Sequence, residues 1–465
     1  MAIIRFLESI QSALAADQVI SDPDRLTIYS HDWWPLSAKL RRLGRHPHLP
    51  EAVVFARSEA DVVAVAQAAD AAGIPLTPWG LGSSVTGAGL PTRGGVMLDL
   101  SKLVGEPALD LVNHTVTVPA GVLGLTLEGQ LERSGFTLGH SPQSLDRSSV
   151  GGWVATMATG QFSSRYGGIE DLLVGFRLVR ADGEVLDLRA HPRAAAGPDF
   201  RQLFIGSEGT LGIVTEVTLK VFPKPEHRLV EAFRIPSIEK GLAAIRQISQ
   251  SGLRPFLVRL YDASEARYAT RNKDIGSPVL FVGHEGLREV AEAEHACARR
   301  MIVANGGASI GSEPAETWLG RRFDFSTVER YLDATGGYAE TIEVAGDWST
   351  VGELYTAMTT ALAPLADEVL GHFSHIYPQG TSLYVILLGH ADTDEAAAER
   401  IRAIWAAAMD ATIGAHGELS HHHGIGLARK PYLAAQNAGV TRLARQIKSV
   451  LDPKGLLNPG KLFDV

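Results

Sequence analysis

Three histidines in a row, His421, His422 and His423, sit in the run SHHHGIGLAR at positions 420–429. Imidazole is the side chain whose ordinary pKa lies nearest neutrality, so such a run can take up, give or pass on protons. A solvated polar loop is the other reading of the same residues. Arg259, in RPFLVRLYD, and Arg330, in VERYLD, are a second kind of candidate. A guanidinium grips phosphate or carboxylate through two parallel hydrogen bonds. Each arginine also reads as a surface ion pair; Arg330 has Asp333 at helical spacing.

Glycine-rich turns supply a third kind. Positions 76–91 read LTPWGLGSSVTGAGLP, with glycines at Gly80, Gly82, Gly87 and Gly89 and hydroxyls at Ser83, Ser84 and Thr86. Such a loop can turn its amide N–H groups inward around an anion, and glycine lets a phosphate approach the main chain. No lysine follows, so it is not a GxxxxGK[ST] loop, and its spacing misses GxGxxG. An ordinary surface turn is the alternative. Two further stretches resemble it in composition: positions 140–168, HSPQSLDRSSVGGWVATMATGQFSSRYGG, and 204–216, FIGSEGTLGIVTE. Three such segments in one domain can line one long, phosphate-bearing ligand.

In order and wording the three segments resemble the FAD domain of the vanillyl-alcohol-oxidase and p-cresol-methylhydroxylase (PCMH) flavoprotein family. The resemblance runs from about Pro50 to Leu462. It implies an α+β chain: a PCMH-type, two-subdomain FAD-binding domain, and a cap domain whose antiparallel sheet is covered by helices. It implies that Pro78, Trp79, Gly80, Leu81, Gly82, Ser83 and Ser84 hold the pyrophosphate. Gln143, Ser144, Leu145, Asp146, Arg147, Ser148 and Ser149, then Thr156, Met157, Ala158 and Thr159, are expected to border the flavin. Glu208, Gly209, Thr210, Leu211, Gly212, Ile213 and Val214 are expected to reach the adenosine and ribitol. Capping and turn chemistry is the everyday role of Ser148, Ser149 and Thr159; it is compatible with flavin contact. Some family members link the flavin to a histidine in or beside the first loop. No histidine or cysteine lies between Pro78 and Pro91, so FAD is expected to be held without a covalent bond.

The histidine run also resembles family segments. Dehydrogenases of D-2-hydroxy acids carry a glutamate–histidine pair there, with the glutamate on a metal; here His422 and His423 take those positions. Their GHxGDGNxH stretch, which supplies two more ligands, corresponds to GHFSHIYPQGTSLY at 371–384. His372 matches the first ligand, GDGN is missing, and Tyr384 takes the second position. Two lost ligands argue against a divalent ion; a His372–His375–His422 set is the weak alternative, and no metal is expected. SHHHG, SPQSLDRSSVGGWVATMATG and a tyrosine at Tyr377 resemble the alkyldihydroxyacetonephosphate synthases, flavoenzymes that make ether-lipid precursors. That resemblance implies Tyr377 as acid/base, His421, His422 and His423 beside it near flavin N5, and Arg259 and Arg330 on the substrate anion. A phenol titrates near ~10, so it needs an imidazole or the flavin beside it to move protons at neutral pH. The implied reaction exchanges the acyl group of an acyl-ketone phosphate for a long-chain alcohol. The alternative is an FAD-linked 2-hydroxy-acid oxidase or dehydrogenase acting on lactate or glycolate.

These groups need a scaffold, and 465 residues normally divide into at least two domains. The boundaries are expected at 1–225 for FAD binding, 226–415 for the cap, and 416–465 for a segment packing back on the first. The 45% hydrophobic and 20% charged residues suit a soluble globular chain. A net charge of −9 argues against nucleic acid or a polybasic membrane patch, and an anionic substrate then needs a local arginine cluster. One cysteine, Cys297, rules out an internal disulfide. No run reaches the length of a membrane span, and a cytoplasmic location is expected. Expected partners are a small-molecule substrate, with a homodimer as an allowed assembly.

Patterning places the elements. Positions 58–72 read as a helix with Ser58 at its cap and Gly73 at its end. Alternation at 114–122 predicts a strand, 125–134 a helix, 172–185 a hairpin turning at Asp182-Gly183, and 212–221 a strand. In the middle region 238–249, 289–305 and 395–408 read as helices, and 257–261, 279–282 and 382–388 as strands. The tail, GLLNPGKLF at 455–463, lacks periodicity and is expected on a domain surface.

Overall fold

The computed structural model describes residues 2–464. Its first sheet has the spatial order Val19–Ile20, Ala52–Phe55, Val96–Asp99, Leu76–Trp79. The last three strands run parallel, which requires a crossover between them. Helix Glu59–Ala72 supplies one. Ser58 accepts the Asp61 amide at its start, and Gly73 closes it at φ 65°. The chain then enters Leu76–Trp79 and emerges as the first glycine loop.

The second sheet is antiparallel, in the order Ala108–Asp110, Thr115–Pro119, Ile213–Lys220, Leu173–Val179, Val185–Leu188. The expected hairpin is there, with Gly183 at φ 84° in its turn. Val116, Val118, Leu178, Val179 and Val217 are fully buried and share one core with the first sheet.

The cap is a seven-stranded sheet ordered Ala308–Ser309, His227–Arg234, Val279–Gly286, Leu257–Tyr261, Glu368–Ile376, Gly380–His390, Gly337–Asp347. Its pairings are antiparallel. Sequence patterning finds three of these seven strands; of the four it misses, the long Gly337–Asp347 escapes because Glu340 and Glu343 occupy buried positions where apolar residues are expected. Side chains alternate between faces. Val258, Leu260, Phe373, Leu383, Val385 and Leu387 pack in one cluster with helices Ile238–Gln250, Arg288–Ala304, Val351–Leu362 and Asp394–Gly414. The residues between them, Arg259, Tyr261, His372, Ser374, Tyr384 and Ile386, therefore lie on the opposite face, which the glycine-rich turns approach.

The tail departs from expectation. Leu456, Leu457, Asn458 and Lys461 are buried, not on a surface. Leu76 donates to the Leu456 carbonyl and Asn458 to the Leu76 carbonyl, at 2.8 and 2.9 Å. The tail thus extends the first sheet at the edge strand, and pairing with an edge needs no helical or alternating pattern. Among the described residues no helix is long and apolar enough to cross a membrane.

Candidate active site

Three backbone turns and four cap strands meet around one cavity of about 460 Å³. The first turn is fixed by its glycines. Gly82 holds φ 67°, and a Cβ there would overlap the Trp79 ring. A Cβ on Gly80 would lie 2.5 Å from Ser149 Oγ, so the first and second segments touch where only glycine fits. Ser84 Oγ accepts the amides of Thr86 and Ala88 at 3.2 and 3.1 Å. Ser149 caps helix Val150–Thr156 through the Gly152 amide. The third turn places Glu208 at φ 51° and Gly209 at φ 71°.

The turns are tied together by groups far off in sequence. Asn458 Nδ2 donates to the carbonyls of Ala88 and Glu208 at 2.9 and 2.6 Å, bridging the first and third. The Glu208 carboxylate accepts the amides of Ile425 and Gly426 at 2.5 and 3.0 Å, which docks the histidine loop on the third turn. Asn458 and Gln161, both in the cavity wall, each keep a buried amide oxygen without a protein partner. A long cradle of close-approach glycines with free acceptors in its wall fits a dinucleotide such as FAD.

Most of the expected cofactor residues line this cavity: Pro78 to Ser84, Gln143, Ser144, Ser148, Ser149, Thr156, Ala158, Thr159, Glu208, Gly209 and Gly212 to Val214. Six do not. Leu145 and Leu211 point into the core. Thr210 bonds the Ser207 carbonyl, and Asp146 pairs with Arg147. Arg147 lies 4.4 Å from the ring centres of both Trp33 and Phe325, a cation held between two aromatic faces. Met157 ends its helix in the left-handed region, at φ 54°.

The cap contributes the titratable groups. Arg259 donates through Nε to the Tyr261 hydroxyl, 2.7 Å, and through Nη2 to His372 Nε2, 2.6 Å. A guanidinium only donates, so His372 Nε2 accepts and its hydrogen is on Nδ1, facing the Glu265 carboxylate at 2.9 Å. Burial pushes Glu265 up to about 8 against the pull of Arg259. Both nitrogens of His372 are thereby engaged. His375 sits at a bulge between Ser374 and Ile376, at φ 56°. Strict alternation would send it away from Ser374; the bulge turns both to the cavity.

Tyr384 stands beside His372, as the ligand-position match implies, whereas Tyr377, expected as the acid/base group, is off the cavity wall. Tyr384 lines the cavity, stacked on His372 at 4.9 Å and edge-on to His423 at 5.5 Å. Burial pushes its hydroxyl up to about 12. Tyr377 is not in the wall; its hydroxyl meets His421 Nε2 at 2.8 Å. His422 and His423 line the cavity, with His421 behind them. Arg330 is also misplaced by the sequence reading. It is exposed on helix Ser326–Asp333, and Arg321 and Arg322 reach the cavity instead. The sequence held no specific signal for those two, since the same Arg-Arg doublet stands at 41–42 and 299–300.

Glu343, which sequence reasoning missed, organises the histidine loop. Its carboxylate accepts Ser420 Oγ at 3.0 Å, the amides of His421 and His423, and the Arg429 guanidinium at 3.1 Å. Glu343 and Arg429 are fully buried. Burial opposes ionisation, but the Arg429 guanidinium outweighs it and holds the carboxyl well below the usual range. The weak His372–His375–His422 metal set is not assembled, since His372 and His375 are bonded elsewhere. Glu343, His421 and His422 do have ligand atoms within 4.8 Å of one another, but the guanidinium on that carboxylate opposes a cation.

Burial presses the histidines toward neutrality: His140, His421 and His422 to about 3, His423 to about 4. A histidine whose folded pKa lies below its unfolded value of about 6.5 stabilises fully above that pH and loses the contribution as pH falls. For His140, which has no charged neighbour acting on it, the loss runs at about 1.4 kcal/mol per pH unit between the two values. The melting temperature should therefore drop as pH falls from 6.5 toward 4. His140 has no partner on either ring nitrogen and packs edge-on to Trp153 at 4.6 Å. His140→Phe should flatten that drop in a calorimetric pH series; an unchanged slope would refute its share.

Comparison with known proteins agrees with the geometry. A model described as an FAD binding domain matches residues 50–189, and one described as FAD linked oxidases, C-terminal domain, matches 224–462. The uncharacterised FAD-linked oxidoreductase YgcU of Escherichia coli K12 is 32% identical, covering 99% of this chain and 98% of its own. Alkyldihydroxyacetonephosphate synthase of Dictyostelium discoideum is 28% identical over 98% of this chain and 80% of its own. A mitochondrial D-lactate dehydrogenase (cytochrome) of Arabidopsis thaliana is 27% identical over 90% and 74%. Among solved structures, an alkyldihydroxyacetonephosphate synthase superposes with a TM-score of 0.83 at 27% identity, over 98% of this chain and 85% of that one. Substrate-bound p-cresol methylhydroxylase reaches 0.82 at 17% identity, covering 100% and 97%, a likeness of fold. Matched through both halves, the chain belongs to the FAD-linked oxidase family and is an FAD-dependent enzyme with a PCMH-type fold.

Proposed function

We propose that this enzyme acts on a substrate with an anionic head and a long apolar chain, in the manner of an alkyldihydroxyacetonephosphate synthase. One observation carries the reading: Arg259, Arg321 and Arg322 line the cavity, and the partners they have are uncharged. Those partners are a hydroxyl and an imidazole for Arg259, and carbonyls for Arg321 and Arg322. Nε of Arg321 and of Arg322 is buried without any partner. In a chain of net charge −9, cations that line a cavity without a direct salt bridge support an anion as ligand. The same cavity is lined by Val328, Leu332, Ala339, Leu370, Ile386 and Leu388. That wall suits an alkyl chain, at about 0.8 kcal/mol per buried methylene. A short 2-hydroxy acid would leave it bare.

FAD, when bound, supplies an N5 centre that exchanges electron pairs with the substrate carbon. The chain supplies position and protons. The arginines orient the anion. His423 has the Glu343 carboxylate 3.7 Å from Nδ1, which favours the hydrogen there and leaves Nε2 as a bare base. Tyr384, beside it, holds a proton to donate. Tyr384→Phe should keep FAD and lower turnover by about 10²–10⁴.

The deciding experiment is anaerobic titration of the FAD-loaded protein, following the flavin band. Long-chain acyl-ketone phosphates should perturb it, and Arg321→Ala with Arg322→Ala should weaken that response. Bleaching by lactate or glycolate that a chelator abolishes would overturn the reading. We also propose that FAD is noncovalent, because the first loop offers no histidine or cysteine. Acid precipitation should leave all the flavin in the supernatant; yellow precipitate would refute this.

A further inference from the structure

We propose that His375 polarises the substrate: its Nε2–H donates a hydrogen bond to the ketone oxygen of an anionic ketone. The inference rests on the ketone-phosphate reading above. Attack on a ketone, or removal of a proton from the carbon beside it, moves an electron pair onto the ketone oxygen. A fixed donor aimed at that oxygen lowers the barrier. The arginines hold the anion, and His423 and Tyr384 serve the protons, which leaves the ketone oxygen without a partner.

His375 is the extra residue of the bulge. Ser374 pairs with Ser382 and Ile376 with Thr381, and His375 is left between them. Its backbone holds φ 56°, a conformation that residues other than glycine adopt only under constraint. The neighbours supply the constraint. The Ser374 carbonyl accepts Thr381 Oγ1 at 3.0 Å and Ser382 Oγ at 2.7 Å, and the Ile376 amide donates to Ser164 Oγ at 3.4 Å. The result of the strain is direction: the imidazole reaches the cavity. Arg259 pairs in register with Ser374, the residue before His375. Guanidinium and imidazole therefore come from neighbouring positions, and both line the cavity. An anionic head held at Arg259 has its ketone a few bonds away.

Ser163, in the second glycine-rich segment, places the hydrogen. Its Oγ lies 2.8 Å from His375 Nδ1. Ser163 is buried, and among the described residues Nδ1 is the one acceptor its hydroxyl reaches. A buried hydroxyl donates to the acceptor within its reach. Ser163 therefore donates, Nδ1 accepts, and the ring hydrogen sits on Nε2. No described residue bonds Nε2, which leaves that N–H for a ligand in the cavity. The ring is also neutral: burial, then His422, His421 and Arg259, hold it well below the ordinary histidine value. His421 stacks on it at 5.0 Å and His422 packs at 4.9 Å, so its plane is fixed. A neutral imidazole keeps its hydrogen while it supports charge on the oxygen it faces, a role separate from proton transfer.

The test uses dihydroxyacetone phosphate labelled with 13C at the ketone, a probe with no acyl group to lose. Infrared isotope-difference spectra of the FAD-loaded protein isolate the ketone band. In the unaltered protein the bound band should lie at lower frequency than in solution. His375→Phe should return it to the solution position. His375→Gln, which keeps an N–H in nearly the same place, should retain part of the shift. With an acyl-ketone phosphate, His375→Phe should lower kcat by about 10²–10³ and change KM less. In FAD-loaded protein with 15N-labelled histidine, His375 should show a protonated Nε2 and a bare Nδ1, and Ser163→Ala should weaken that preference. A band that does not move on binding, a shift that survives in His375→Phe, or the opposite tautomer would each overturn the assignment. Calorimetry reports binding separately: an unaltered protein that fails to bind the probe would strike the ketone-phosphate reading, and this assignment with it.

Discussion

Gly82→Val should give a folded, colourless protein that takes up no added FAD. The residue holds φ 67°, and any Cβ would overlap the Trp79 ring. Valine in the left-handed region carries strain of roughly 1–3 kcal/mol before that clash is counted. The clash is with a ring that itself lines the cavity, one residue after Pro78. The backbone must shift to relieve it, and the loop amides proposed to hold the pyrophosphate shift with it. The rest of the first sheet draws its stability from core residues elsewhere, so folding should survive. Flavin absorbance after dialysis against FAD, with circular dichroism as the folding control, checks the outcome. Normal FAD content in this variant would remove the first loop from the cofactor site.

Glu343→Ala should cost about 3–5 kcal/mol of stability, the usual effect of leaving one member of a buried ion pair alone. It strands the Arg429 guanidinium and deprives the Ser420 hydroxyl and two loop amides of their acceptor. The three histidines would lose their fixed positions, and FAD should stay bound if the glycine-rich turns hold it as proposed. Denaturant midpoints report the stability and the flavin band the cofactor. Combining Glu343→Ala with Arg429→Met should recover part of the loss, because both charges are then absent. A double variant less stable than the sum of the singles would show that the pair is not the organising contact.

The glycine loop, the helix that precedes it and the hairpin at Asp182-Gly183 were all legible in the sequence. Each depends on neighbours in the chain: Ser58 needs only the Asp61 amide, and Gly73 only its own φ. The strand Gly337–Asp347 was not legible, because Glu340 and Glu343 break its apolar alternation. They are there for partners more than sixty residues away, Trp405 and the loop at Ser420.

The sequence by itself determined the cofactor cradle, the family resemblance and the need for local arginines in an acidic chain. Backbone freedom, charge and motif order are properties of the chain as written. Only the tertiary structure decided that Arg321 and Arg322, not Arg330, face the cavity, and that Tyr384 stands at its wall with Tyr377 behind His421. Those assignments follow from strand register, from the bulge at His375 and from which side of a helix meets the sheet. Each fixes a side chain's direction through contacts between distant segments, and a one-residue shift would reverse it.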